Sequence, residues 1–348
     1  MASLKNFKLF KRNIEETAQT DAAENAIALK EVEGLSQRQI VFKRFIHHRA
    51  AMVAIFSLVG IILIVNTALD FKIGPWKING WWKYSIEDIP ELRMEDCPNG
   101  NVGCPTLQLF PPSLGEHPFG QDDIGRDYFA LVMRGAQRSL MVAFVIGIIG
   151  GVLGTVIGAI SGYYRGKVDA VLMRIVDFVI TVPAIIIGSV IGFRYGNLGA
   201  GFLAIYLGLF SWTGLSRLVR AEFLKLREME FVDAARVAGA SNRRIIFKHI
   251  LPNAVGIIIV SVTLLMSSAI LLETALSYIG FGVVAPDVSL GLLISTYQDS
   301  FTSRPYLFWW PGLFIISIAL SINFIGDGLR DAFDPRQRRR VSRKERAR

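Results

Sequence analysis

Six runs along the chain are long and almost uniformly apolar: residues 50–69, 138–162, 170–193, 198–217, 254–275 and 307–327. A bilayer's hydrocarbon core is about 30 Å thick, and about 20 residues of helix cross it. Each run therefore predicts one transmembrane helix, with Arg174 and Asp177 the blemishes in the third. The expected fold is an all-α integral membrane protein of six helices with an extracytoplasmic insertion after the first. The polar stretches divide the rest. Residues 1–49 read as an arm that ends in an amphipathic elbow helix, opened by the capping-box pattern Ser36-Gln37-Arg38-Gln39. Residues 50–69 are the first span and 70–137 an extracytoplasmic lobe. Residues 138–327 form the membrane core, interrupted by a polar segment at 218–253, and 328–348 form a basic tail.

Composition agrees: 52% of the 348 residues are hydrophobic and only 19% charged. The net charge of +9 needs no nucleic acid, because lysine and arginine collect in cytoplasmic loops. Residues 70–133 carry ten acidic and five basic side chains, a net of −5. Residues 217–248 carry eight basic and four acidic, a net of +4, and residues 330–348 nine and three, a net of +6. With six spans this asymmetry places both termini in the cytoplasm. Trp76, Trp81, Trp82 and Tyr84 suit the outer interface, as do Trp309 and Trp310 at the start of the last span.

No catalytic set emerges. The four histidines, His47, His48, His117 and His249, form no metal-binding helix pattern. Gly166-Lys167 matches the end of a phosphate-binding loop, but Val168 follows where Ser or Thr is required and Ser161 stands where Gly is required. Ionisable residues inside the spans are few, with Asp177 and Glu273 the nearest to a pathway or a helix interface. Neither a bound nucleotide nor an ion gradient is visible as an energy source, so a partner must supply it. The rival readings are a stand-alone channel or secondary transporter, which calls for broken helices or inverted repeats, and a membrane-embedded enzyme. No such breaks are apparent in the sequence.

The polar segment holds the most specific signal. In FVDAARVAGASNRRIIFKHILPN, from Phe231 to Asn253, Phe231, Ala234, Ala235, Ala238 and Ile245 recur at helical spacing and Gly239 interrupts them. A short helix, a glycine turn and a second helix are expected. Pro252 disfavours helix at Leu251 and starts the next span. Asp233-Ala234-Ala235, then Arg236, Gly239, Ala240 and the hydrophobic-Leu-Pro ending at Pro252 resemble the EAA loop of ABC importer permeases, with Asp233 where many members have Glu. HPFGQDDIGRDYFALVMRGAQRSL (117–140), LSYIGFGVVAP (276–286) and FIGDGLRDAFDPR (324–336) resemble segments of the oligopeptide and dipeptide subfamily. The resemblance spans residues 36 to 336.

What the resemblance implies is a permease subunit of an ATP-driven peptide importer in a bacterial or archaeal cytoplasmic membrane. Nickel or another small solute is the alternative cargo. It implies a second homologous permease, two ATPase subunits that bind ATP and magnesium, and an extracytoplasmic peptide-binding protein. This chain itself would hold no cofactor and no metal. The loop would dock on an ATPase and transmit its motion.

Two further patterns remain. Gly150, Gly154, Gly158 and Gly162 form a stripe on the second span, suited to close helix approach; a moving interface and plain packing are both open. Cys97 and Cys104 bracket a turn-forming stretch outside the membrane, where an oxidising compartment permits a disulfide.

Overall fold

The computed structural model describes residues 37–73, 76–93, 97, 103–108 and 113–333. The arm before Ser36, Ser36 itself and the tail beyond Phe333 lie outside the described residues. Two compact units result. One runs from Arg49 to Arg330. The described part of the other is α1 (Gln37–His47), His48 and Asp331–Phe333, in which His48 lies 3.5 Å from Asp331.

The membrane unit begins with α2 (Arg49–Ala68). A short antiparallel hairpin follows, β1 (Phe71–Ile73) and β2 (Trp76–Ile78), in the register Phe71↔Ile78; nothing in the hydrophobic pattern announced it. Then comes α3, Tyr128–Tyr164. Its 37 residues make a rod of about 55 Å, much longer than a bilayer core. The sequence reading started this span at 138. Asp127 starts it ten residues earlier, because its carboxylate accepts the Ala130 N–H at 2.9 Å. The same carboxylate accepts Trp82 Nε1 at 2.8 Å and lies 2.8 Å from His117 Nδ1, which ties the lobe to the helix end.

The third and fourth runs are not straight spans. α4 (Gly166–Thr181) and α5 (Ala184–Tyr195, extended by one turn to Leu198) meet at a 70° bend. Pro183, which has no N–H to donate, sits in the break. α6 (Ala200–Phe210) and α7 (Thr213–Arg227) meet at 40°. There Ser211 Oγ donates at 2.7 Å to Leu207 O, which also accepts the Ser211 N–H, and Trp212 Nε1 donates to Leu209 O at 2.8 Å, a carbonyl that the helix end leaves over. Broken helices are thus present although the sequence showed none, and their absence no longer argues against a secondary transporter.

α8 (Glu230–Val237) leads to α9, a continuous helix from Asn242 to Tyr278. α10 (Leu290–Tyr297) and α11 (Tyr306–Phe333), as far as Arg330, complete the unit. Among the described residues four helices, α2, α3, α9 and α11, are individually long and apolar enough to cross a membrane, and the count reaches six if each bent pair is one span. α3 is the central post and packs along α7, α9 and α6.

In the lobe, Phe119 stacks on Trp310 with centroids 3.9 Å apart and meets Phe129 at 5.0 Å. Asp122 holds Arg126 at 2.6 Å and accepts the Tyr297 hydroxyl at 3.0 Å. Burial, and then the Asp122 carboxylate, push that phenol well above its usual range. Cys97 and Cys104 are joined in a disulfide with Cα atoms 5.6 Å apart. A loop this short stabilises by about 2–3 kcal/mol through chain entropy. Mass spectrometry without reductant is expected to recover Cys97 and Cys104 in one internally linked peptide; alkylation of both cysteines before reduction would contradict it.

Candidate functional site

The polar segment after α7 folds into a knuckle built on α8. Val232 and Ala235, one turn apart, point inward. They join a core made by Ala159 and Tyr163 of α3, Val219, Phe223 and Leu226 of α7, and Ile245, Ile246 and Ile250 of α9. The outward side carries Phe231, Ala234, Val237 and Ala238. The sequence reading grouped Ala235 with Phe231, Ala234 and Ala238; burial separates them. The signal for the true inner face was the i, i+3 spacing of Val232 and Ala235. Val237, 91% exposed at the tip, was not singled out by sequence at all.

Gly239 ends α8 with φ +79°. The N–H of Ala240 donates to Ala235 O at 3.0 Å and that of Gly239 to Arg236 O at 2.9 Å. This pair of bonds is the Schellman closure, which needs a left-handed residue at the position of Gly239. Ser241 then caps α9, its Oγ accepting from Arg244 N. Tyr163 Oη donates to Asn242 Oδ1 at 2.8 Å, and Arg227 Nη1 to Tyr163 O at 2.5 Å. The knuckle is therefore pinned to α3 at both ends. Asp233 pairs with Arg236 at 2.8 Å within the helix, an exposed contact of little energetic weight.

Pro252 does not act as expected. The backbone at Ile250 and Leu251 is helical, and α9 passes straight through the proline. Residues Ile245–Ile250 form a π-helical turn, and Leu251 N–H reaches back five residues to Ile246 O. Such a wide turn makes room for a residue with neither an N–H nor space for the preceding carbonyl. The second half of the polar segment is thus the end of a transmembrane helix.

The remaining expected positions fall apart in space. Glu273 is fully buried, and Ser139 Oγ and Ser277 Oγ donate to it at 2.9 and 2.8 Å. Ser289 Oγ donates on to Ser277 at 3.3 Å. Hydroxyls from α3, α9 and the cap of α10 close around the carboxylate, which makes it an internal tie. Asp177 is half exposed and pairs with Arg217 of α7 at 2.6 Å. The glycine stripe is a packing seam. A Cβ on Gly154 would sit 2.9 Å from Trp212 O, one on Gly158 2.5 Å from Ser216 O, and one on Gly162 2.6 Å from Phe223 Cβ. Gly150 faces Leu265 of α9, and Gly208 O lies beyond. Among the described residues no group of His, Cys, Asp and Glu could hold a metal ion.

Residues 154–339 match the family described as "Binding-protein-dependent transport system inner membrane component". The oligopeptide transport system permease protein OppC of Mycobacterium tuberculosis H37Rv is 36% identical over 304 residues, 87% of this chain and 96% of that relative. The protein of the same description from Escherichia coli K12 is 37% identical over 320 residues, 92% of this chain and 98% of that one. A chain of the MetNI methionine ABC transporter, solved in inward-facing conformations, superposes with a TM-score of 0.48 at 20% identity, over 59% of this chain and 96% of its own.

Proposed function

The chain belongs to the family of binding-protein-dependent transport system inner membrane components, and from that membership we propose that it is the permease subunit of an ATP-driven importer of short peptides. The observation that carries the proposal is the knuckle: a helix with an exposed apolar rim, closed by Gly239 and joined by a short turn to α9, which runs unbroken through Pro252. A second, homologous permease completes the pathway. Two ATPase subunits bind ATP and magnesium, and an extracytoplasmic protein delivers the peptide. Phe231, Ala234, Val237 and Ala238 are small or flat enough to seat in a cleft, and the core around Val232 and Ala235 makes α8 move as one piece with α7 and α9. Closure of the ATPases would then reorient the helices between inward- and outward-facing states. The loop charges support cytoplasmic termini, the side on which the knuckle must lie.

Affinity purification of the tagged chain tests this. A stoichiometric ATPase is expected to accompany it, and Val237→Asp is expected to reduce that recovery at least ten-fold with the permease still in the membrane. Recovery of a functional transporter without an ATPase would refute the reading.

A further inference from the structure

Between α2 and α11 runs a groove of about 500 Å³ on the outside of the bundle. Both helices lean on one core, to which α2 gives Leu58 and Val65 and α11 gives Ile315, Ile318 and Ile322, so the groove is a furrow above packed side chains. Ala54 and Ser321 are buried at its floor, and Ser57, Ser317 and Phe324 also line it. Small residues leave it open. Arg49 stands at its mouth. It is the first residue of α2, directly before the apolar run 50–69, and the apolar run of α11 ends at 327. The furrow therefore begins at the polar boundary of the membrane. It runs inward along α2 from Arg49 to Ser57, about 12 Å of helix rise.

Its width, its hydroxyls and its charges select the occupant. A volume of about 500 Å³ spread over about 12 Å gives a mean width of about 7 Å. A helix with its side chains is about 10–12 Å across, so a partner's helix could lie over the furrow but not fill it, whereas an acyl chain, a single file of methylenes, fits. Serines elsewhere in the spans turn back onto their own helix, as Ser189, Ser261 and Ser268 do at 2.7–2.9 Å. The hydroxyls of Ser57, Ser317 and Ser321 have no hydrogen-bond partner among the described residues, and each can donate to an ester carbonyl. The mouth carries one charge of each sign. Arg49, and Asp327 one turn beyond Phe324 on the same face of α11, are exposed and have no ionic partner among the described residues. Basic groups between spans at this level take lipid headgroups. A purely anionic headgroup would leave Asp327 unanswered; a phosphate joined to a primary amine answers both.

We propose that the furrow between α2 and α11 binds one molecule of phosphatidylethanolamine in the leaflet that the loop charges assign to the cytoplasm. Its phosphate sits on Arg49 and its ammonium on Asp327. Its ester carbonyls accept from the serine hydroxyls, and one acyl chain lies over Ala54. The site is independent of the cargo and stands whether the chain imports peptides or another solute.

Three lipids with the same acyl chains separate the terms. Phosphatidylcholine keeps both charges but has no N–H to donate, and phosphatidylglycerol keeps the phosphate without the cation. Each is titrated onto the delipidated transporter assembly in detergent, and native mass spectrometry counts the molecules retained. Phosphatidylethanolamine is expected to fill one site at a concentration at least five-fold below that of either other lipid. Asp327→Asn is expected to erase its advantage over phosphatidylcholine, and Arg49→Gln to weaken its binding at least five-fold. Ser57→Trp, at an exposed position, fills the furrow and is expected to remove the site with the assembly intact. Equal retention of the three lipids by wild type would make them an unspecific belt and overturn the proposal. A preference for phosphatidylglycerol would overturn it too, because the amine would then have no role. A preference that survives Ser57→Trp would put the site elsewhere. Loss of a subunit from the Ser57→Trp assembly would show that a partner covers the furrow, which likewise overturns the proposal.

Discussion

Gly158→Leu is expected to prevent the chain from accumulating as a folded membrane protein. At this point α3 and α7 are in backbone contact. A Cβ would lie 2.5 Å from Ser216 O, 2.7 Å from Val219 Cβ and 3.0 Å from Arg220 N. Two of those three neighbours are main chain, so no rotamer change relieves the clash. The helices must separate, and the packing around Val219 and Phe223, both fully buried, separates with them. Overpacking in a tight core costs about 1–3 kcal/mol when side chains can yield; here the cost is expected at or above the top of that range. Size-exclusion profiles of the detergent-extracted protein measure it, with at least a ten-fold loss of the monodisperse peak. Gly60→Leu on α2, where a Cβ meets nothing within 4 Å, is the control and should keep that peak. A Gly158→Leu protein that runs like wild type would mean the α3–α7 seam is not closed as described.

The second large effect falls on function with the fold retained. Gly239→Val places a β-branched residue at φ +79°, where L-residues pay about 1–2 kcal/mol and branched ones more. No atom lies within 4 Å of the added Cβ, so the penalty is wholly backbone strain. The cheapest relief is to unwind the Schellman bonds at Ala240 and Gly239, which frees the tip of α8 from the start of α9. The variant is expected in the membrane at near wild-type level, with peptide uptake lowered at least ten-fold and the ATPase still turning over. Gly239→Asn should retain most uptake, because asparagine tolerates the left-handed region. Uptake unchanged in the valine variant would remove the knuckle's rigidity from the mechanism.

Much of this was legible in the chain. A span must be apolar over its whole length, so six such runs emerge from composition alone. The turn at Gly239 was legible because a glycine breaking a helical period marks a left-handed cap. The start of α3 was hidden, because its first turns hold Arg134, Gln137 and Arg138 and read as loop. Those residues are helical because Asp127 caps them and because their polar groups find partners: Arg134 donates to Gln137 one turn on at 2.7 Å, and Arg138 meets Asp287, in the loop before α10, at 2.9 Å.

The bends were hidden for a different reason. Hydropathy is blind to direction, so α4 with α5, and α6 with α7, have the composition of a straight span whether or not they are straight. Only Pro183 marked one break, and at Ser211-Trp212 the stop is made by side chains folding back on the preceding turn. Pro252 misled in the opposite sense. A proline is a local signal against helix, but a π-turn upstream absorbed it, and that choice depends on Ile245, Ile246 and Ile250 being held against α3 and α7. The roles of the two intramembrane carboxylates were likewise undecided by sequence. Neither residue's local sequence names its partner. Glu273 became an internal tie because serines 134 residues before it, at Ser139, and 16 after it, at Ser289, close around it. Asp177 became an exposed pair because its partner, Arg217, is 40 residues away, beyond the bend between α6 and α7. The local period of hydrophobic residues sets how many helices form and roughly where they stop. Which polar atoms meet is decided by contacts between residues far apart in the chain, and a pattern read along one strand of sequence carries no record of those distances.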